Sequence, residues 1–308
     1  MNIQEHVLLA PLTTFGIGGA ARYLIECTSI ADIHEAIAYC AEHKLKSVVL
    51  SGGSNVLISD EGFDGCVLHI RNQGSNRFGN TVVIEAGCTL LESIERCHEY
   101  SLGGWEGLAG IPGSIGGAIR GNVGAFGSEI KEYCTEVRTC HMVTGEEKIF
   151  IADECDFSYR SSFFKEHPEW IILSATFTLK QAGPEAVERK NKTIAERERR
   201  HLQNVPCAGS YFMNPVAPQW VQDLFTEEKG AEAREGRVPA GWLIEKVGMR
   251  GYRSGGAASS EMHANYLINT GSATAQDVRT VAATIQDAVR AKYIVSLREE
   301  PTLVGFEQ

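Results

Sequence analysis

GGWEGLAGIPGSIGGAIRGNVGAFG, at residues 103–127, places glycine at roughly every third position. Glycine disfavours the interior of both helices and strands, so the composition predicts neither element here. A flexible linker is also disfavoured, because large apolar side chains recur along the stretch and would anchor it to a core: Trp105, Leu108, Ile111, Ile115, Ile119 and Phe126. The stretch therefore predicts ordered backbone that lies against something flat or charged.

The many glycines would let a ligand approach the backbone closely. A glycine-rich structural turn is the alternative, but so dense a run with apolar anchors favours ligand contact. The predicted contacts are Gly110, Ile111, Pro112, Gly113, Ser114, Gly116, Gly117, Ala118 and Asn122, whose amide would bind polar atoms of the ligand.

A second glycine turn follows directly after a predicted buried strand at residues 48–50. Successive N–H groups in such a turn form a concave nest for phosphate oxygens, and serine and asparagine side chains add neutral donors. A plain tight turn is the alternative interpretation. The predicted ligand contacts in this turn are Ser51, Gly52, Gly53, Ser54 and Asn55.

Residues 16–21, GIGGAA, fit the dinucleotide fingerprint G-x-G-x-x-A. That fingerprint must follow a buried strand and open a helix. Here PLTTF precedes it, and residues 22–25 after it have the pattern of a strand. A Rossmann-type nucleotide site is therefore not predicted at this position.

The chain has 308 residues and a formal net charge of -10, a size that suggests about two domains. An acidic chain binds polyanions poorly, so neither nucleic acid nor a membrane surface is an expected partner. No apolar run reaches the ~18 residues of a membrane span, and no basic leader precedes one, so a cytoplasmic protein is expected. The nine cysteines contain no CxxC pair, which favours buried thiols over disulfides or a metal site.

Hydrophobic periodicity predicts the main elements. Helices are expected at 32–45, 90–100 and 275–293, the last with a cap made by Thr274 and Asp277, and a solvated helix in the charged segment 186–204. Strands are expected at 67–70, 82–86, 136–142, 147–151, 170–179 and 302–306. A boundary near Gln181 then divides the chain into residues 1–180, with lobes at about 1–70 and 71–180, and residues 181–308.

Three separated polar positions are candidates for chemistry. Arg160 suits bidentate recognition of a carboxylate, Ser210 offers a hydroxyl on a turn, and Glu300 precedes the last predicted strand. Taken singly, each is more typical of a surface charge or a turn residue than of a catalytic group. Spacing does not join them.

Taken in order, eight segments resemble the UDP-N-acetylenolpyruvoylglucosamine reductases, also called UDP-N-acetylmuramate dehydrogenases. The match runs from about residue 13 to 305 through TTFGIGG, GGSNVLISDEGFDG, GLAGIPGSIGGAIRGNVGAFG, DFSYRSSFFK, AGSYFMNP, AGWLIEKVGMRG, SSEMHANYLINTGSATAQDV and LREEPTLVG. The resemblance implies an α+β chain: a two-lobed FAD-binding fold of the vanillyl-alcohol-oxidase type, then an α+β substrate-binding domain. The last strand would bring Glu300 back to the active site.

The resemblance also implies non-covalent FAD, NADPH as reductant, and UDP-N-acetylglucosamine enolpyruvate as the substrate of a step in peptidoglycan precursor synthesis. It assigns Arg160 to stabilising an enol-like intermediate, Ser210 to donating a proton, and Glu300 to working with the arginine. Tyr159 and Asn214 would contact substrate. No obligate protein partner is implied, and the short distance from Arg160 to Ser210 is similar to the subclass without a tyrosine-bearing insert.

The chemistry is consistent with these roles. Hydride addition to the terminal alkene carbon pushes negative charge toward the adjacent carboxylate, where a guanidinium lowers the barrier. An ionised Glu300 would repel that charge, so it is expected to be protonated through burial or bridged by Arg160.

Two departures from the family pattern concern substrate affinity. Met213 stands where the family usually has a basic residue, and His201–Leu202 stand where many members have Gln-Pro. Nearby arginines could compensate: Arg120, Arg197, Arg199 or Arg200. The alternatives are a flavin oxidase or dehydrogenase of the same fold with another substrate, and a catalytically silent flavin- or nucleotide-binding protein.

Overall fold

The computed structural model describes residues 1–200 and 205–306, with the side chain of Arg200 left aside. The helices of this part are α1 (Ile30–Glu42), α2 (Leu90–Glu99), α3 (Ile115–Arg120), α4 (Phe163–Glu166), α5 (Pro184–Arg200), α6 (Gln219–Lys229), α7 (Ala240–Lys246) and α8 (Ala275–Tyr293). Within these ranges, no helix combines the length and apolar character needed to cross a membrane.

Strands are distributed along the whole chain, so the predicted mixture of helix and strand is confirmed. They are β1 (Asn2–Leu8), β2 (Ala20–Cys27), β3 (Ser47–Leu50), β4 (Val56–Ile58), β5 (Phe63–Ile70), β6 (Ser75–Phe78), β7 (Thr81–Glu85), β8 (Leu102–Gly103), β9 (Gly124–Ala125), β10 (Ser128–Glu129), β11 (Cys134–His141), β12 (Glu147–Ile151), β13 (Trp170–Thr178), β14 (Lys180–Gln181), β15 (Cys207–Ser210), β16 (Arg253–Ser254), β17 (Ala257–Ser259), β18 (Tyr266–Asn269) and β19 (Thr302–Val304).

The chain forms two compact units, and each is discontinuous in sequence. The first contains residues 1–7, 21–53 and 63–200, and the second contains residues 8–20, 54–62 and 201–308. The second unit thus includes two N-terminal segments, and α5 belongs to the first unit. The functional division predicted from the sequence, 1–180 and 181–308, stays a prediction.

The first unit contains two larger sheets. One has the strand order β1-β2-β5-β3, with β2 and β3 each parallel to β5. Helix α1 begins at a capping box made by Ser29 and Asp32 and buries the side chains that recur at helical spacing. The strand predicted after GIGGAA is β2, so the rejection of a Rossmann turn there is confirmed.

The other large sheet of the first unit is antiparallel, with the order β12-β11-β13-β7-β6. The ends of β7, β11 and β13 lie within two residues of the predicted ones, and β12 has the predicted ends, whereas β6 was not predicted. Trp105 and Phe177, both fully buried, lie in the core beneath it with ring centroids 5.2 Å apart. Four of the predicted anchors of the glycine-rich stretch are fully buried and Ile111 packs partly buried against the same core, but Phe126 is 46% exposed, so its prediction as an anchor is wrong. The four are Trp105, Leu108, Ile115 and Ile119.

That stretch also corrects one expectation. Residues 103–127 were predicted to contain neither helix nor strand, but β9, the end of β8 and α3 lie within them. Helix α3 forms because Ser114 accepts a hydrogen bond from the Gly117 N–H and caps the first turn. A capping side chain therefore outweighs the low helix propensity of two glycines.

The second unit is built on an antiparallel sheet of order β15-β18-β17-β16 that packs against α8. Helix α8 has the predicted ends, and Thr274 and Asp277 form the predicted capping box. Its predicted apolar face is buried: Val278, Val281, Ala282, Ile285 and Val289. A separate parallel pair joins β4 to β19, which ends two residues before the strand end predicted at 306.

The cysteines are small buried side chains, as predicted. All nine lie in the described residues, where each is buried and carries a free thiol. Burial raises the pKa of the Cys27 and Cys97 thiols to about 12, so they stay protonated and behave as apolar filling.

Candidate functional site

The first unit brings the two predicted glycine turns into contact. A Cβ atom placed on Gly52 would lie 2.9 Å from the Gly113 Cα, a distance that real Cβ atoms essentially never show. Gly53 and Gly113 have φ angles of +58° and +119°, where side-chain-bearing residues are strained. The two turns therefore require glycine for their mutual approach and for their backbone conformation.

The segment from Ser114 to Ala118 is held against the end of β7. A Cβ on Gly116 would lie 3.0 Å from the Ala86 Cβ, and the Gly116 N–H donates to the Ala86 carbonyl at 2.9 Å. Ala118 is buried beside them. Close packing is thus one reason for glycine at 116, and a ligand contact by this segment stays a prediction.

Helix α5 lies over the start of the same glycine segment. A Cβ on Gly110, whose φ is +75°, would lie 3.2 Å from Arg197 Cδ and 3.5 Å from Ile194 Cγ1. Of the arginines that could compensate for Met213, Arg197 is therefore placed beside the predicted ligand segment, whereas Arg199 forms an ion pair with Glu196 at 2.8 Å. His201–Leu202 and the side chain of Arg200 lie outside the described residues.

The residues of the predicted turn at 51–55 belong to both units. Ser51, in the first unit, donates its hydroxyl to the Ile70 carbonyl at 3.0 Å, which ties the turn to β5. Asn55, in the second unit, accepts a backbone hydrogen bond from Thr302 at 3.0 Å. Its side-chain Oδ1 is buried and has no hydrogen-bond partner among the described residues.

Arg160 occupies a tight turn in the first unit. Ser158 and Ser161 exchange two backbone hydrogen bonds of 3.0 and 3.2 Å, and Arg160 between them has a φ of +58°. Such a conformation costs a non-glycine residue about 1–3 kcal/mol and persists only where its surroundings hold it. The Arg160 guanidinium donates to the Gly124 carbonyl at 2.9 Å, and Lys165 Nζ donates to the Arg160 carbonyl at 2.9 Å.

Two other predicted residues surround this turn. Asn122 is fully buried with a φ of +39°, and its Nδ2 donates to the Ser158 carbonyl at 2.9 Å. Its amide therefore supports the Arg160 turn, and the predicted role as a cofactor contact remains untested. The Tyr159 ring lies under the guanidinium, with 5.2 Å from the ring centroid to Arg160 Cζ.

In the second unit, the structure brings the Ser210 and Glu300 segments together across 90 positions of sequence. The Glu300 N–H donates to the Tyr211 carbonyl at 2.8 Å, and the Met213 N–H donates to the Arg298 carbonyl at 2.9 Å. These bonds form a short antiparallel pairing that spacing does not reveal. Two of the three predicted catalytic residues are therefore neighbours along paired backbone, and Arg160 belongs to the first unit.

Asn214, the other predicted substrate contact, has a structural task. Its Oδ1 accepts the Ala240 N–H at 3.0 Å at the start of α7, and its carbonyl accepts a hydrogen bond from Arg237 at 3.1 Å. Because α7 begins after Pro239, which offers no capping side chain, Asn214 supplies the missing acceptor.

Two positioning residues were missed from the sequence. The buried Asn265 amide donates to the Phe212 carbonyl at 2.8 Å and accepts its N–H at 3.0 Å, so it supports the strand that follows Ser210. Asp60 caps α8 by accepting the N–H groups of Ala275 and Gln276. Neither has a local signal, because the partners of Asp60 lie 215 and 216 positions away.

The sequence matches two known family models. Residues 21–152 match the family model "FAD binding domain", and residues 199–304 match "UDP-N-acetylenolpyruvoylglucosamine reductase, C-terminal domain". The UDP-N-acetylenolpyruvoylglucosamine reductase of Carboxydothermus hydrogenoformans is 38% identical, over 98% of this chain and 94% of the relative. That of Solibacter usitatus is 34% identical, over 99% of this chain and 97% of the relative.

A solved reductase structure has a similar fold. The crystal structure of the reductase from Thermus caldophilus superposes with a TM-score of 0.79 at 27% identity and covers 99% of both chains. The predicted fold class, an FAD-binding domain followed by a further α+β domain, is confirmed by these matches.

Proposed function

The chain belongs to the UDP-N-acetylenolpyruvoylglucosamine reductase family, and we propose that it reduces UDP-N-acetylglucosamine enolpyruvate to UDP-N-acetylmuramate in the cytoplasm. FAD would be the non-covalent cofactor and NADPH the reductant. The observation that carries the proposal is the nearly full-length match to UDP-N-acetylenolpyruvoylglucosamine reductases. The motif resemblance proposes Arg160, Ser210 and Glu300 as the catalytic residues.

The residues present fit FAD. Gly52 and Gly113 leave backbone without side chains where their turns meet, the kind of surface on which a dinucleotide can rest. Asn55 Oδ1 is a buried acceptor without a partner among the described residues, and a hydroxyl or amine of a ligand would satisfy it. FAD, when bound, would supply the hydride chemistry between NADPH and the substrate.

Arg160 would bind the carboxylate of the enolpyruvyl group. Hydride addition to the terminal alkene carbon moves negative charge onto that carboxylate, and a fixed guanidinium stabilises it. The turn around Arg160 supports this role, because hydrogen bonds from Asn122 and Lys165 hold the backbone in its left-handed conformation before any ligand binds. Pre-positioning of this kind lowers the barrier, because little reorganisation remains.

Ser210 would donate the proton to the ether-bearing carbon. A serine hydroxyl is protonated at neutral pH but is a weak acid, so it acts only when it is held at the reacting atom. Glu300 would work with the arginine, and Tyr159 would contact substrate. The second substrate contact proposed from the resemblance, Asn214, would have to act through atoms other than the Oδ1 lone pair that Ala240 uses.

The test is the visible spectrum of the full-length protein under anaerobic conditions. We expect a yellow protein whose flavin band bleaches with NADPH and returns on addition of UDP-N-acetylglucosamine enolpyruvate. UDP-N-acetylglucosamine, which lacks the alkene, is the matched control and should leave the band bleached.

The outcomes separate the parts of the proposal. Bleaching without recovery would leave a flavoenzyme and overturn the substrate. Recovery with the control ligand would also overturn the substrate. A colourless protein that takes up no added FAD would overturn the cofactor and with it the whole proposal.

A further inference from the structure

Tyr211 and Glu299 are the immediate neighbours of the proposed proton donor and the proposed catalytic glutamate. Tyr211 is fully buried, and its hydroxyl donates to Glu299 Oε2 at 3.3 Å. A buried phenol without an acceptor would be unfavourable, so this bond has a structural reason to persist. It joins the side chains of two segments whose backbones carry Ser210 and Glu300.

The backbone of Tyr211 is bonded on both sides. Its N–H donates to the Asn265 carbonyl at 2.7 Å, next to β18, and its carbonyl accepts the Glu300 N–H at 2.8 Å. Tyr211 is thus the point at which the sheet of the second unit connects to the segment before β19. Any displacement of this residue would move Ser210 on one side and Glu300 on the other.

Burial and the neighbouring charge keep the Tyr211 phenol protonated, so that it can donate a hydrogen bond. Burial and the neighbouring Glu299 carboxylate raise the pKa of Tyr211 well above its usual range. Burial also raises the pKa of Glu299, against the opposing effect of Arg279 on α8 and of the phenol hydrogen bond. The titratable and charged groups that act on Glu299 are therefore Tyr211 from the strand side and Arg279 from the helix side.

We propose, on the basis of the function proposed above, that Tyr211 and Glu299 are positioning residues that fix the spacing between Ser210 and Glu300 through their side-chain hydrogen bond. Proton transfer depends on sub-ångström placement, and a displacement of about 1 Å can cost on the order of 100-fold in rate. Neither side chain need touch the substrate.

The experiment compares two half-reactions of the FAD-loaded enzyme by stopped-flow. Tyr211→Phe deletes the hydroxyl and leaves the ring in the core. We expect reoxidation by the enolpyruvyl substrate to slow at least tenfold, while reduction by NADPH changes less than twofold. The matched control is Tyr293→Phe, which deletes a hydroxyl from another buried tyrosine of the same core and should change neither rate.

Two variants of Glu299 complete the test. Glu299→Gln keeps an oxygen that accepts from the phenol and should retain most of the reoxidation rate at neutral pH. Glu299→Ala should match Tyr211→Phe, and the double variant should be no slower than either single one, because both remove one shared bond.

Amide hydrogen exchange gives a readout that does not need turnover. Exchange at residues 298–300 should accelerate in Tyr211→Phe, because the Glu300 N–H bond to Tyr211 opens more often. Equal rates for Tyr211→Phe and wild type, or equal loss in both half-reactions with a lowered Tm, would overturn the positioning role. Wild-type enzyme that fails to turn over the substrate would overturn the proposed function instead.

Discussion

Glu106 in the first unit and Glu299 in the second are carboxyl groups removed from much of the solvent, yet their pKa values shift in opposite directions. Burial opposes ionisation of Glu106, but donors surround it: the Gly104 N–H at 2.8 Å, His98 Nε2 at 3.2 Å and Arg189 Nε at 3.4 Å. Together they lower its pKa. For Glu299, burial is the larger effect and raises the pKa.

The difference shows that the supply of donors, more than burial, decides whether a buried carboxylate stays charged. The charged Glu106 ties α5 to the turn at Glu106–Leu108, and α5 in turn covers Gly110 of the predicted cofactor segment. Glu299 has the Tyr211 phenol and stands next to Glu300. The charged Glu106 therefore supplies fixed contacts next to the predicted cofactor segment. The Glu299 carboxyl, next to the predicted catalytic glutamate, can instead gain or lose a proton.

The largest expected effect tests the chemical half of this comparison. Ser210→Ala removes the proposed proton donor without removing a predicted cofactor contact. We expect reduction by NADPH to stay within twofold of wild type and reoxidation by the enolpyruvyl substrate to slow by about 10²–10⁴-fold. Rapid-mixing absorbance at the flavin band measures both.

Ser272→Ala, at an exposed position of the same unit, is the control and should change neither half-reaction. If Ser210→Ala slowed both half-reactions alike, the assignment of chemistry to this region would be wrong.

The next effect tests the binding half. Gly52→Ala would push a Cβ against Gly113, so the two glycine turns must separate. Overpacking of this kind typically costs about 1–3 kcal/mol, which corresponds to roughly 5–150-fold weaker FAD binding. Fluorescence titration of the apoprotein with FAD measures the Kd.

Gly121→Ala is the matched control, because its added Cβ would meet the Gly117 carbonyl at an ordinary 3.5 Å and its backbone is not left-handed. Unchanged FAD affinity in Gly52→Ala would remove this turn from the cofactor site.

These two regions also differ in how far the sequence predicts them. Helix α8 was predicted to the residue, because its cap and its apolar face are local patterns within one element. The contact of Gly52 with Gly113 was not predicted as geometry, although both turns were singled out as glycine-rich. Composition identifies glycine-rich segments whose backbone carries no side chains, but it does not show which of these segments contact each other.

The pairing of the Ser210 segment with the Glu300 segment could not be derived from spacing, because its hydrogen bonds join residues about 90 positions apart. Both residues were singled out from the family resemblance, and in the structure the segments that carry them are paired through backbone hydrogen bonds. Asn265 and Asp60 had neither kind of signal, since a cap or clamp made by a distant side chain leaves no local trace. Long-range hydrogen bonds are thus the part of the site that the sequence conceals.

A smaller effect should appear in stability. Glu106→Gln removes a charge that accepts from three donors, and we expect the free energy of unfolding to fall by about 1–3 kcal/mol, toward the lower end because Arg189 is half-exposed. Because the pKa of Glu106 is lowered in the folded state, its carboxylate stabilises the fold at pH values above the ordinary pKa of 4.5. That stabilisation is lost as pH falls through the folded-state pKa. Urea unfolding of both proteins should therefore differ at pH 7, and the difference should shrink as pH falls below 4.5 toward the folded-state pKa.

Glu99→Gln, an exposed carboxylate on α2, is the control and should follow wild type at every pH. A difference between Glu106→Gln and wild type that grew on acidification would contradict the donor-rich picture of this region.

The smallest expected effect is a gain in the free energy of unfolding, opposite in sign to that of Glu106→Gln. Because the folded-state pKa of Glu299 is raised, the native state binds the extra proton above pH 4.5, and its stability declines as pH rises toward the folded-state pKa. Glu299→Gln does not titrate, so it should match wild type near pH 4 and exceed it at pH 7 by less than about 1 kcal/mol. The same urea series measures this. If Glu299→Gln instead lost stability at pH 7 as Glu106→Gln does, then Arg279 and Tyr211 would hold Glu299 charged, and the two regions would follow one rule.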